Sequence, residues 1–262
     1  TEARTRIAPG QTGLEVVAWQ VTDDGPRFAE ALRRYTAPAV AAADELALRR
    51  NGFILAAVRE PDIDALRDAL GGSALDVRTW LGTATTWREL ASVPVGDALV
   101  EVDGVARERP GALARIMARS WPVSMEDGTR IAVDLVPQLV RGEEESSLLR
   151  NANRLSGTVV TSCAAAIELQ RGAAWLLTCD PGGFVETDAD AAERARDAAS
   201  REGPPAPAPA GASGKIGARI VTLGAATLLA APERSGAPSR RTVLLLVPHL
   251  GGSAFPDETA PQ

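Results

Sequence analysis

Few side chains in this sequence are of the kinds that usually carry chemistry: one histidine, His249, and two cysteines, Cys163 and Cys179. Any Ser-His-Asp arrangement or histidine-based proton transfer has to use His249, and no Gly-x-Ser-x-Gly turn offers it a nucleophile. His249 directly follows Pro248 at the end of an apolar run, where a polar side chain turns to solvent, so a structural role is expected. The thiols and the imidazole lack the Cys-x-x-Cys or His-x-x-x-His spacing that preorganises metal ligands. No metal and no other cofactor is expected. Gly211-Ala212-Ser213-Gly214-Lys215 approaches a phosphate loop, but Pro209 stands where the first glycine belongs and Ile216 replaces the Mg²⁺-ligating hydroxyl. It reads as a hinge. The carboxylates group as Asp23-Asp24 in a turn, Glu143 to Glu145 in a polar connection, and Asp188 with Asp190 at a helix start, where acidic side chains suit the helix dipole. Two carboxylates distant in sequence can still meet as an acid and base, which keeps a carboxylate-based hydrolase as an alternative. No catalytic residue is assigned.

Cys163 and Cys179 lie symmetrically about Arg171, in two apolar runs joined by Gln170-Arg171-Gly172. A three-residue loop there sets the thiols opposite each other on neighbouring strands, about 4.5 to 5.5 Å apart at Cα, which suits a disulfide and an oxidising compartment. A shift of one residue makes them diagonal, and two unpaired buried thiols are the other outcome. Among the tryptophans, Trp19, Trp121 and Trp175 sit inside apolar strand patterns and read as core. Trp80 and Trp87 stand among Thr79, Thr83, Thr85 and Thr86 and are the candidates for an exposed contact surface.

The elements that must position these residues fall into two regions. Residues 1–12 are a polar tail. Over residues 13–72 the pattern predicts strand, helix, helix, strand, helix: a strand at 14–21, helices at 28–35 and 40–50, a stop at Asn51-Gly52, a buried strand at 53–58, and a helix from Pro61 closed by Gly71-Gly72. Residues 73–250 read as a mainly antiparallel β-domain. Asp103-Gly104 and Asp127-Gly128, each between strand runs, predict type I′ hairpins. Residues 111–117 fit either a helix or a continued strand. A third hairpin is expected over 155–180. Residues 187–214 are an insertion, an alanine-rich charged helix followed by a stiff proline-alanine spacer. The apolar run at 242–247 predicts a central strand, and 251–262 is a tail. Gly172-Ala173-Ala174-Trp175-Leu176-Leu177 and Gly224-Ala225-Ala226-Thr227-Leu228-Leu229 repeat one pattern, as do Leu135-Val136-Pro137-Gln138-Leu139 and Leu246-Val247-Pro248-His249-Leu250. Both echoes are read as strands reusing one design.

Composition bounds the function. The 262 residues are 45% hydrophobic and 24% charged, the balance of a folded chain. A net charge of −6 supplies no basic face to displace counterions from phosphates, so no nucleic-acid partner is expected. Lys215 is the only lysine, a bias carrying no functional reading. The longest apolar run, residues 220–231, is interrupted by Thr222, Gly224 and Thr227 and is shorter than the about 20 residues a membrane helix needs. The opening at Thr1, with no charged-then-apolar leader, fits an upstream segment that has been removed or is not included in this sequence.

Three stretches resemble the β-domain of the secretin family: residues 127–139 as a strand ending in proline, residues 167–177 as a glycine-turn hairpin, and residues 241–250 as a terminal apolar strand closing in Pro-x-hydrophobic. Secretins are outer-membrane ring proteins of secretion and pilus systems with small α/β modules ahead of the β-domain. That family's repeated Pro-Leu-Leu-Gly gate segment is replaced here by the charged helix and proline spacer. Leu14-Glu15-Val16-Val17 and the turn from Leu48 to Phe53 are also similar to uncharacterised envelope proteins of planctomycete-type bacteria. The resemblance implies a non-catalytic component of the bacterial cell envelope, periplasmic or associated with the outer membrane. Its partners would be other envelope proteins or copies of itself. The alternative is a monomeric β-sandwich that binds a peptide or glycan through the Trp80 and Trp87 region. The fold class expected is α+β, a small amino-terminal α/β module followed by a mainly antiparallel β-domain.

Overall fold

The structure, a computed structural model, describes residues 11–72, 75–96, 98–141, 155, 157–180, 184–185, 220–230 and 239–251. Residues 1–10 and 252–262 of the expected tails, the acidic run at 143–145 and the insertion at 187–214 lie outside the described residues.

The first strand, β1 (Gly13–Thr22), leads into α1 (Gly25–Tyr35), which begins at Asp24, whose side chain accepts from the Arg27 amide, with Pro26 in the first turn. A short β2 (Thr36–Pro38), α2 (Ala42–Arg50) and β3 (Phe53–Arg59) follow, then a 3₁₀ turn (Glu60–Asp62) and α3 (Ile63–Ala69). The chain continues through β4 (Leu75–Gly82), β5 (Arg88–Pro94), β6 (Leu99–Val102) and β7 (Val105–Glu108) into two long strands, β8 (Ala112–Met125) and β9 (Gly128–Arg141). Next come β10 (Thr158–Val159), a 3₁₀ turn (Thr161–Cys163), β11 (Ala165–Leu169), β12 (Ala173–Cys179) and β13 (Phe184–Val185). Last are β14 (Ile220–Thr222), α4 (Leu223–Leu228), β15 (Leu229–Ala230) and β16 (Arg240–His249). The protein is mainly antiparallel β with a few short helices.

The strands form a seven-stranded sheet in the order β2-β3-β12-β16-β1-β4, with β15 beside β16. A five-stranded sheet runs β10-β9-β8-β5 with β11 beside β9, and a four-stranded sheet runs β13-β14-β6-β7. The alternation of strand side chains divides the core in two. Val17, Trp19 and Val21 of β1, Ile54, Ala56 and Val58 of β3, and Val243 and Leu245 of β16 pack with Phe28, Leu32 and Leu66 of α1 and α3. Their neighbours Leu14, Val16, Phe53, Leu55, Leu244 and Leu246 face the opposite way, onto Ile116, Ile131, Val133 and Leu135 of the five-stranded sheet. The seven-stranded sheet is thus covered on both sides. This explains the unbroken apolar run of β16, since a strand with two buried faces has no solvent side on which to place polar residues.

Segment 13–72 does not close a sheet of its own: β12 and β16, from the other half of the sequence, lie between β3 and β1. The 155–180 hairpin also gives way to a different pairing. Gly172 makes the expected turn at φ +81°, but β11 pairs with β9, while β12 pairs with β3 and β16. The turn passes the chain from one sheet to the next. With no shared ladder the thiols have no opposed register, and Cys163 and Cys179 are both free, which corrects the expected disulfide.

The two glycine-led repeats adopt different structures. The first forms β12, but in the second Thr222 accepts from the Ala225 amide at 3.3 Å and starts α4. A Cβ on Gly224 would lie 2.0 Å from the Gly52 carbonyl oxygen, so glycine there permits close backbone approach, whereas Gly172 permits a turn. In the second echo, β9 continues past Pro137 to Arg141. Pro137 sits between the stretch of β9 paired with β11 and the stretch paired with β10, where a missing N–H costs little. Residues 111–117 resolve as turn and strand, and both expected hairpins form, but only Asp103-Gly104, at φ +54° and +79°, has the type I′ conformation. In the second, Met125 pairs with Gly128, so the loop is Glu126-Asp127 with neither residue at positive φ, which corrects the expected type I′ turn at Asp127-Gly128.

Candidate functional site

β4 ends the seven-stranded sheet and β5 ends the five-stranded sheet, and among the described residues both are edge strands, β4 paired only with β1 and β5 only with β8. The segment between them is fastened by the Ser120 amide, which donates to the Ala84 carbonyl at 2.7 Å, and by the Ser120 hydroxyl, which donates to the Gly82 carbonyl at 3.0 Å. Trp80 lies on β4 and Trp87 just before β5, so both candidate contact residues border open strand edges. Each is half-buried.

Around Trp80 the sequence hides a second group. Trp80 is opposite Glu15 in the β1–β4 ladder, and its ring meets the His249 imidazole edge-on at 5.5 Å. His249 Nε2 stands 2.9 Å from Glu15 Oε2, and the Arg78 guanidinium is 3.7 Å from the other carboxylate oxygen. The sole histidine therefore packs between an acid and an aromatic ring instead of simply pointing to solvent. Glu15 is buried. Its position in an otherwise apolar run, Leu14-Glu15-Val16-Val17, was the signal for an internal partner. Among the described residues this group holds a histidine and a single close acid, with no serine or cysteine bonded to the imidazole.

Around Trp87 the arrangement is a cation held between two rings. The Arg119 guanidinium carbon is 4.8 Å from the Trp87 ring centre and 5.3 Å from that of Trp121, while its Nε donates to Asp134 Oδ2 at 2.7 Å. Cross-strand pairing of Arg119 with Asp134 fixes that ion pair. Trp121, read as core, is half-buried and belongs to this surface. The Arg119-x-Trp121 alternation along β8 places both on one face and was legible in the sequence.

Neither thiol is reactive at neutral pH: burial pushes the pKa of Cys163 and of Cys179 up to about 12 in each case, against the lowering effect of Arg241 beside Cys179. Among the described residues no three His, Cys, Asp or Glu side chains gather as metal ligands, and no helix is long and apolar enough to cross a membrane. No family model matches this chain, and no curated protein and no solved structure shows significant similarity to it.

Proposed function

We propose that this protein is a non-catalytic scaffold that joins other subunits through the β4 and β5 edges, with the bacterial cell envelope as the setting that the secretin resemblance implies. The observation that carries the reading is the placement of Trp80 and Trp87 beside two strands that are edges among the described residues. An exposed strand edge offers unpaired N–H and C=O groups to another chain, and half-buried aromatic and arginine side chains are the groups enriched at protein contacts. The two edges differ. β5 is blunted by Pro94 and by a register shift between Glu89 and Ala91, both of which oppose strand addition. β4 carries no proline, and its own register shift, at Leu81, lies at its carboxy-terminal end, so Leu75 to Trp80 keep a regular ladder and Leu75 is 46% exposed. Strand pairing is therefore assigned to β4, and the Trp87-Arg119-Trp121 surface is assigned the flanking side-chain contacts.

Sedimentation equilibrium over a wide concentration range tests this. Wild type should self-associate, while Leu75→Lys and Trp87→Ala should remain monomeric with unchanged circular dichroism. A wild type that stays monomeric at every concentration would count decisively against self-assembly.

A further inference from the structure

A cleft of about 250 Å³ separates the β6–β7 hairpin from the corner formed by β9, β10 and the following 3₁₀ turn. Register determines what lines it. Val100 is opposite Arg107 and Val102 is opposite Val105, so these four share one face of the hairpin, with Arg109 continuing their alternation. Across the cleft stand Leu139, Thr158, Val159, Val160 and Thr161. The lining thus combines an aliphatic floor, two hydroxyls and two guanidinium groups.

The arginines are what distinguish this cleft. Arg109 Nε is buried without a hydrogen-bond partner, and no carboxylate among the described residues pairs with Arg107 or Arg109. A buried guanidinium N–H left unmatched is costly, and of the three such donors among the described residues, Trp19 Nε1, Gln138 Nε2 and Arg109 Nε, it is Arg109 that lines this cleft. The larger cleft, about 420 Å³ between α1, α2 and β3, is different: its Arg33 pairs with Glu30, and its Arg49 pairs with Glu45 and Asp180.

Asp103 also borders the smaller cleft, but its carboxylate is engaged by Ser162 and by Asn51 Nδ2 at 3.0 Å, and these bonds hold its pKa below the usual aspartate value. Counting two arginines against that one ionised carboxylate leaves one net positive charge, suited to a monoanion and poorly matched to a dianionic phosphate. The hairpin that carries the arginines is anchored. Asn51, fully buried, accepts from the Asp103 amide at 2.9 Å, and Arg50 donates to the Asp103 carbonyl at 2.8 Å.

We propose that this cleft binds an aliphatic monocarboxylate, its two oxygens taken by Arg107 and Arg109 and its alkyl group laid on Val100, Val102, Val105 and Leu139. The same chemistry is offered by a free short-chain acid and by the terminal carboxylate of a polypeptide ending in an apolar residue. β7 and β10 are both edge strands at the cleft, which leaves room for an extended chain to run outward.

Calorimetric titration of the full chain with hexanoate, hexanamide, inorganic phosphate, and a valine-ended tetrapeptide as free acid or amide tests the proposal. Hexanoate or the free-acid peptide should bind saturably, and the matching amide should bind about tenfold or more weakly. Tighter binding of the peptide acid identifies a polypeptide terminus as the source, and binding of hexanoate alone identifies a free acid. Arg109→Met should remove the preference for acid over amide. Val105→Trp, made at a half-exposed position on the floor, should block binding with the arginines intact, so the test survives if Arg109→Met misfolds. Equal affinity for acid and amide, tighter binding of phosphate, or no saturable binding of either acid would overturn the proposal.

Discussion

Arg241 and Arg109 are both arginines with buried guanidinium nitrogens, and the fold treats them in opposite ways. Arg241 is fully buried at the start of β16; its Nε donates to Asp23 Oδ1 at 3.1 Å, its Nη2 reaches the same oxygen, and its Nη1 donates to the Cys179 carbonyl. Its guanidinium carbon also lies 4.3 Å from the centre of the Phe28 ring. This one side chain ties β16 to the turn after β1, to the end of β12 and to α1. Arg109 has no partner for its Nε. A charge matched from within holds the fold together. A charge left unmatched at the wall of a cleft keeps its interaction free energy available for a ligand.

Removing the matched charge should have the largest effect. Arg241→Met leaves Asp23 without its partner, and breaking a buried pair from one side costs about 3–5 kcal/mol. Denaturant unfolding should show a lower midpoint with an unchanged slope. A loss under about 1 kcal/mol would mean that the internal pairing contributes little, and the contrast between the two arginines would collapse.

The anchoring of the hairpin comes next. Asn51→Ala removes donors and acceptors that hold the Asp103 backbone and carboxylate, at a cost of about 1–3 kcal/mol. Because those bonds depress the Asp103 pKa, their contribution is complete above the ordinary aspartate range and is lost as pH falls through the lowered value. Wild type should therefore lose part of its stability on acidification below about pH 4, and Asn51→Ala should lose less over the same range. Equal acid sensitivity in the two proteins would show that the network does not couple to Asp103.

The smallest stability effect is expected where the sequence would suggest a comparable one. Arg109→Met should leave the unfolding free energy unchanged or raise it by about 1 kcal/mol, because no internal bond is broken and an unmatched buried N–H is removed. A large destabilisation would reveal an internal role. Alkylation offers a check without mutation: Cys163 and Cys179 should resist iodoacetamide at neutral pH in the folded protein and react once it is unfolded. Prompt labelling of the native state would contradict the burial that holds both thiols protonated.

Local signals in the sequence were read well where one structural demand acted on each residue. The Asp103-Gly104 turn, the apolar stripe of α1 and the central position of β16 all followed from spacing. Signals failed where partners were distant. Nothing near Gly172 tells the chain that β11 and β12 enter different sheets, because that choice is made by β9, β3 and β16. The similarity of residues 172–177 to residues 224–229 misled for a related reason: Thr222 caps the second copy into a helix that then packs against Gly52. Glu15 and Arg241 are each partnered across more than two hundred residues, so neither partnership is visible in a local window. The Val105-x-Arg107-x-Arg109 alternation was legible as one face of a strand. That its charges find no carboxylate among the described residues is a property of the fold alone.

The most direct measurement is thermal unfolding of wild type and Arg109→Met across a hexanoate series. Binding to the folded state alone must raise the midpoint with ligand concentration. A progressive rise in wild type and none in Arg109→Met is the predicted result. Equal rises in both proteins, or none in either, would contradict the assignment of the unmatched arginine to a ligand.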